Sequence, residues 1–371
     1  MRVQLVDPSA FTPPYDHSLA AALARAGAGV ELLTSRFLYG PVPEASGYRV
    51  RECFYRRSSA RGLSAPGRRA FKAAEHLSDM WRLRRSIDAD VVHYQWLTMP
   101  TLDTHLLPGK RPRVMTAHYV LPPSPSRRQA ARARRLFGQM DAVVAHSEHG
   151  ARRLRDEAGV DPSRVHVIPH GAFDYLARLP DEKALPTELD GAEGPVILFF
   201  GLLRPYKGLE TLLRAFQQVR GAELWIVGNP RMDVEPLRRL AAEAPGRVRF
   251  VTRFVEDAEM PPIFRRADVV ALPYCDAEHS GVLYTGLAFG KPLVLSAVGG
   301  FPEVAAEEAA KLVSPGDPDA LAATLSELVA NPDARAELSA AAQAAASGPY
   351  SWDAVASQTL ALYRKLMESR A

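Results

Sequence analysis

"FFGLLRPYKGLETLLRAF", residues 199–216, closes a run of apolar residues, passes through an arginine and a lysine, and then becomes periodic. Leu209, Leu212, Leu213, Phe216 and Val219 recur at three- and four-residue spacing, which predicts a helix starting near Gly208. Arg204 and Lys207 therefore fall on the loop that leaves the carboxyl end of the strand "VILFF". Ligands of open α/β sheets bind at that edge, and the free amides of the following helix add positive potential there. Two cations, backbone donors and a glycine that permits close approach suit a phosphate or diphosphate. The competing reading is a pair of solvated loop cations beside local acids, and for this stretch alone it is the more frequent outcome.

The same alternation extends in both directions. Short apolar runs ("VQLV", "VELL", "DVVHYQ", "VMTAH", "AVVAHS", "VHVIP", then "PVILFF", "ELWIV", "RVRFV", "DVVALP", "PLVLS", "KLV") are interleaved with helical patterns. Their being apolar on both faces predicts parallel sheets covered by helices on two sides, and hence an α/β chain of two doubly wound domains. Residues 1–177 read as the first domain and 196–349 as the second. The proline- and acid-rich stretch 178–195 reads as a link, and 350–371 as a closing helix that packs back on the first domain.

At 371 residues the chain is too long for one ordinary core, and 47% apolar with 24% charged residues is a globular composition. A net charge of +4 suits anionic small molecules or a membrane surface and is too weak to argue for nucleic acid. Cys53 and Cys275 stand far apart without metal-type spacing, so neither a disulfide framework nor a zinc site is expected, and a reducing cytosol is the simplest setting. The start "MRVQLVDPSA" lacks the cationic lead and long apolar segment of a signal peptide, and no run approaches membrane-spanning length.

A second segment strengthens the phosphate reading. "DVVALPYCDAEHSGVLYTGLAFGKPLVLSAVGG" (268–300) reads as strand, polar loop, short helix, glycine, strand and a glycine pair. Ser280, Gly281 and Val282 fall where that helix starts, so their amides form a further anion cradle. Two such cradles in one half, each after a strand, suit a sugar nucleotide.

With these residues the chain resembles the retaining glycosyltransferases of family four. The resemblance rests on "FFGLLRPYKGLETLLRAF", "LWIVGNP", "FVEDAEMPPIFRRADVVALPY" and "SGVLYTGLAFGKPLVLSAVGGFPEV", and more loosely on "TAHYV", "AHSEHGARRL" and "VIPHG". It implies the GT-B fold, two Rossmann-like domains with a cleft between them. It also implies transfer of a sugar, with retention, from a nucleotide-diphosphate donor of UDP or GDP type to a small-molecule, glycan or lipid-linked acceptor. No cofactor or metal ion is expected, since Arg204 and Lys207 supply the charge a cation otherwise would. The resemblance assigns those two residues to the donor diphosphate and His118 in "TAHYV" to the reacting sugar, although Leu202 follows the strand-ending glycine where the family usually has its arginine.

The donor loop departs from the family. Two glutamates eight positions apart are usual there; here those positions are Ala277 and Thr285, with "SGV" following. Glu278, one residue from the first, and the Thr285 hydroxyl are the available substitutes. In the first loop "PPYDHS" replaces the usual glycine pair, and Asp16 and His17 either face the acceptor or, for Asp16, cap a helix. The missing acids keep a noncatalytic or epimerase-type nucleotide-sugar binder as the alternative. The basic clusters "RRSSARGLSAPGRRAFK" and "SRRQAARARRLFG" have two readings, a solvated face and, for the second with Leu136 and Phe137 beside five arginines, a peripheral contact with an anionic inner membrane face.

Overall fold

A computed structural model describes residues 1–58, 65–109, 111–122, 124–180 and 183–370, the side chains of 65–70 excepted. The chain divides into two compact units, Met1–Gly171 with Trp352–Ala371, and Ala172–Ser351.

The first unit carries seven strands: β1 (Arg2–Asp7), β2 (Gly29–Ser35), β3 (Arg49–Phe54), β4 (Val91–Tyr94), β5 (Arg113–Thr116), β6 (Ala142–Ala145) and β7 (Val165–Val167). They pair in parallel in the order β3-β2-β1-β4-β5-β6-β7. The second unit carries β8 (Val196–Phe200), β9 (Glu223–Val227), β10 (Val248–Val251), β11 (Val269–Leu272), β12 (Leu293–Ser296) and β13 (Ala310–Val313), ordered β10-β9-β8-β11-β12-β13. Each order reverses once, between β1 and β4 and between β8 and β11. Neighbouring crossover connections leave in opposite directions there, which opens a crevice at the strand carboxyl ends. Strands such as β8, β9 and β11 are buried at every position, as the continuous apolar runs predict.

Strand β3 has no counterpart among the apolar runs. Its "RVRECF" carries three charged residues because it lies at a sheet edge, where only Phe54 is fully buried. The stretch 178–195 is likewise not a free link. The chain passes between units at 171/172 and 351/352, and Leu189, fully buried, belongs to the second unit's core.

Helix α1 (Pro13–Arg25) begins five residues before the sequence pattern suggests, with Thr12 at its N-cap and two prolines in its first turn. The closing helix Trp352–Glu368 lies in the first unit. Its Tyr363 hydroxyl meets His93 Nδ1 at 2.6 Å, while Arg25 and Asp353 pair at 2.6 Å. A Cβ on Gly171 would lie 2.4 Å from the Trp352 indole, so only glycine admits that ring.

Candidate functional site

In the second unit the loops after β8 and β11 flank the reversal of strand order. After β8 the chain makes a 3-10 turn, Pro205–Lys207, and enters the helix Leu209–Phe216 through Gly208 at φ +70°. A Cβ on Gly208 would fall 1.8 Å from the Pro273 carbonyl, so glycine lets this loop press against the loop after β11. Cys275 N–H donates to Tyr206 O at 2.7 Å, and the two loops are joined directly.

Arg204 is exposed, whereas Lys207 is buried at 8% exposure. The Lys207 ammonium stands over the Tyr274 ring, 4.8 Å from its centre. A Cβ placed on Gly201 would lie 3.1 Å from Lys207 Nζ and 3.1 Å from Val282 Cγ2. The ammonium and the first turn of the helix Gly281–Ala288 therefore flank one point at the end of β8. Burial above all, with the charge of Arg204 acting the same way, pushes Lys207 down to about 8. A cation held in this way is stabilised by an arriving anion.

The helix after β11 starts where the sequence predicts. Ser280 is the N-cap of the helix Gly281–Ala288; its hydroxyl does not cap but meets the Tyr274 hydroxyl at 3.2 Å. The loop 275–280 rests on the glycine pair that follows β12. Gly300 N–H donates to Glu278 O at 3.1 Å, and a Cβ on Gly299 would collide with Ala277 O at 1.7 Å. Glu278 is half-buried. Thr285 is buried and its hydroxyl donates to Gly281 O at 2.9 Å, a turn back within the helix, so it is not a free donor for a ribose.

In the first unit His118 follows β5 and is buried. It stacks on Trp96 at 5.2 Å and 13°, and its Nε2 meets Gln95 Oε1 at 3.1 Å. His146, following β6, brings Nε2 to 3.3 Å from His118 Nδ1 and donates through Nδ1 to Ile168 O at 3.1 Å. Tyr15, His170 and Trp352 surround the pair. Sequence reasoning found His118 and missed its partner, although "AHSEHG" also places a histidine just past a strand end.

Asp16 is not a cap. It lies one turn inside α1, 1% exposed, where burial first and then the charge of Asp7 raise its carboxyl well above the ordinary value. Asp7 accepts the amides of Ser9, Phe11 and Thr12 in the loop before α1. His17 is buried too, meets the Tyr48 hydroxyl at 2.7 Å, and is pushed by burial down to about 4. Both residues line a small cavity in the first unit together with Thr34, Ser35 and Phe37. The membrane reading of the second basic cluster also fails at its apolar residues: Leu136 and Phe137, at the end of the helix Arg127–Phe137, are in the first unit's core.

These two parallel sheets, each with one reversal of strand order, are the two Rossmann-like domains of the GT-B fold. Residues 15–172 match the family described as Glycosyltransferase Family 4, and residues 194–331 match Glycosyl transferases group 1. The chain belongs to the family-four glycosyltransferases. It is 28% identical to a D-inositol 3-phosphate glycosyltransferase of Kineococcus radiotolerans over 96% of this chain and 91% of that one. It is 30% identical to a GDP-mannose-dependent monoacylated alpha-(1-6)-phosphatidylinositol monomannoside mannosyltransferase of Corynebacterium glutamicum over 62% and 63%. Among solved structures it resembles sucrose-phosphate synthase from Thermosynechococcus elongatus, with TM-score 0.75, 19% identity and full coverage of both chains. It also resembles Anabaena HepE in complex with UDP, with TM-score 0.72, 20% identity and coverage of 99% and 100%.

Proposed function

We propose that the protein is a retaining glycosyltransferase that moves a sugar from a nucleoside-diphosphate sugar to a hydroxyl-bearing acceptor without a metal ion. The observation that carries this reading is the buried Lys207 ammonium beside the first turn of the helix Gly281–Ala288, with Arg204 on the same loop. In the step proposed, the bond between the anomeric carbon and the diphosphate oxygen breaks, and the acceptor oxygen bonds that carbon on the same face. The acceptor proton passes to the departing phosphate oxygen. Charge grows on the diphosphate as the bond breaks, so Lys207, Arg204 and the amides of Gly281 and Val282 favour the transition state over the bound donor. His118 orients the reacting sugar through its ring. The names of the relatives, which include an inositol phosphate and a phosphatidylinositol mannoside as acceptors, support a polyol or lipid-linked acceptor.

A nucleotide-sugar binder without turnover is the second reading. Two observations favour it: no acid stands at positions 277 and 285, and the Thr285 hydroxyl is committed to Gly281. A thermal-shift panel of uridine and guanosine diphosphate sugars, followed by assay of nucleotide release with a polyol and glycan acceptor set, separates the two. Release that depends on acceptor and survives EDTA supports transfer. A thermal shift with no release supports the binder, and activity that EDTA removes and manganese restores rejects the metal-free step.

A further inference from the structure

Four neighbouring strands of the first sheet each place a polar group just past their carboxyl ends, and the four groups form one line. Gln95 follows β4, His118 follows β5, His146 follows β6, and the carbonyl of Ile168 follows β7. Backbone pairing fixes the chain at these points: Gln95 N–H donates to Val6 O at 2.9 Å, Ala117 N–H to Val144 O at 2.8 Å and Ile168 N–H to Ala145 O at 2.9 Å. The groups then meet in sequence. Gln95 Oε1 lies 3.1 Å from His118 Nε2, His118 Nδ1 lies 3.3 Å from His146 Nε2, and His146 Nδ1 lies 3.1 Å from Ile168 O. The plane of the His118 ring is held as well, by Trp96 stacked on it at 13° and by Tyr15 edge-on at 89° with centres 4.7 Å apart.

Counting protons along this line gives it a direction. A carbonyl oxygen only accepts, so His146 carries its proton on Nδ1 and, when neutral, presents a lone pair at Nε2. His118 must then donate from Nδ1, which leaves a neutral His118 with its own lone pair at Nε2. A lone pair there repels a carbonyl oxygen, so neutral His118 needs a donor from Gln95. Gln95 has one to give: the residue is 0% exposed, and its amide nitrogen has no hydrogen-bond partner among the described residues. A half-turn of the amide brings that nitrogen to His118 Nε2, which removes the repulsion and pairs the buried donor in one movement. The orientation with the oxygen toward His118 suits the imidazolium, which donates from both nitrogens. An amide therefore serves either protonation state, where a carboxylate serves one and an apolar side chain neither.

We propose that Gln95 and His146 are positioning residues that hold His118 at neutral pH as the imidazole protonated on Nδ1, with Nε2 as its accepting edge. A sugar hydroxyl that engages the ring at Nε2 then donates the hydrogen bond, and the ring does not donate to the sugar. Partners of this kind act through the tautomer and the orientation of the ring they hold. The kinetic consequence rests on the reading of His118 as the residue that orients the reacting sugar, whereas the tautomer rests on the geometry of the first unit alone.

The test begins with long-range nitrogen–proton NMR of the full chain carrying nitrogen-15 histidine at neutral pH, the two ring signals being assigned by His118→Gln and His146→Gln. In the wild type both rings show a proton on Nδ1 and none on Nε2. Gln95→Glu, nearly the same in shape but only an acceptor, shows His118 protonated on both nitrogens. Gln95→Leu and His146→Leu each lower kcat roughly tenfold to hundredfold with KM little changed, and leave the diphosphate-induced thermal shift as it was. His146→Gln, whose amide oxygen accepts the same His118 proton, regains most of the lost rate. A proton on Nε2 of wild-type His118 overturns the proposal, as does full kcat in both leucine variants. Equal loss in His146→Gln and His146→Leu also overturns it, since packing alone would then explain the effect. A wild type that shows the expected spectrum but no acceptor-dependent nucleotide release removes the transferase reading and leaves the tautomer standing.

Discussion

The ammonium of Lys207 stands 4.8 Å above the ring of Tyr274, whose hydroxyl in turn meets the N-cap Ser280 at 3.2 Å. One aromatic side chain thus couples the cation on the β8 loop to the helix start that follows β11. The face of the ring favours the ammonium that burial opposes, and the arrangement holds a desolvated charge ready for an anion.

This charge has a stability cost whose sign is fixed. The folded-state value of about 8 lies below the ordinary lysine value of 10.5, so the cost is fully present below about 8 and is relieved as pH rises from there to 10.5. Lys207→Met is therefore expected to stabilise the ligand-free protein at neutral pH by on the order of 1–3 kcal/mol, raising its melting point, and to remove the shift produced by nucleoside diphosphates. Differential scanning fluorimetry with and without diphosphate reads both effects. A variant that is destabilised, or still responds to diphosphate, contradicts the assignment.

Gly201 sets the room available to that ammonium. Its φ of +113° and the two 3.1 Å approaches to Lys207 Nζ and Val282 mean that Gly201→Ala strains the backbone and displaces the cation at once. We expect destabilisation of about 1–3 kcal/mol and a loss of diphosphate affinity larger than this fold defect explains. Calorimetric titration of nucleoside diphosphate against the folded variant measures it; unchanged affinity would mean that Lys207 does not contact the diphosphate.

His118 and Lys207 are expected to fail differently. His118→Ala is expected to leave the diphosphate-induced thermal shift intact, because the reading proposed here assigns the donor phosphates to the second unit's loops. Its kcat drops by roughly 10² to 10⁴. Equal loss of nucleotide binding in the His118 variant would remove the distinct role assigned to the histidine.

Asp16 predicts a pH dependence of the opposite kind to a surface carboxylate. Burial and Asp7 raise its folded-state value above the unfolded 3.8, so the penalty is absent below that pH and grows as pH climbs towards the raised value. Asp16→Asn, which mimics the protonated form, should raise the melting point at neutral pH and flatten its fall between acid and neutral pH. If the asparagine variant melts lower than wild type at neutral pH, burial and Asp7 do not disfavour the charged form of Asp16 as described.

Most of the sheet framework was legible because buried parallel strands are apolar on both faces: every apolar run, from "VQLV" to "KLV", became a strand. Strand β3 was not, since a largely exposed edge strand spells "RVRECF" and carries no such run. Lys207 and Ser280 were readable because a strand followed by a helix fixes where the intervening loop must lie. What surrounds them was not, because the ring of Tyr274 and the back-bonded hydroxyl of Thr285 depend on side-chain directions that spacing does not encode. Asp16 looked like a cap from its place before "SLAAALARAG". The helix begins earlier because Pro13 and Pro14 are well suited to a first turn, and that moves the acid inside. Leu136 and Phe137 misled for a related reason: beside five arginines they resembled an exposed ridge, while periodicity alone did not say which side of the helix the core would take.

The return of Trp352–Glu368 to the first unit has a consequence for how the polypeptide is made. Residues 172–351 form an uninterrupted segment that leaves the ribosome with every strand it needs. The earlier-translated sheet must wait for the final residues before Trp352 can fill the gap over Gly171 and Tyr363 can reach His93. Biogenesis therefore inverts the order of the message: the later-encoded unit can be finished first, and the one that begins the chain is completed last.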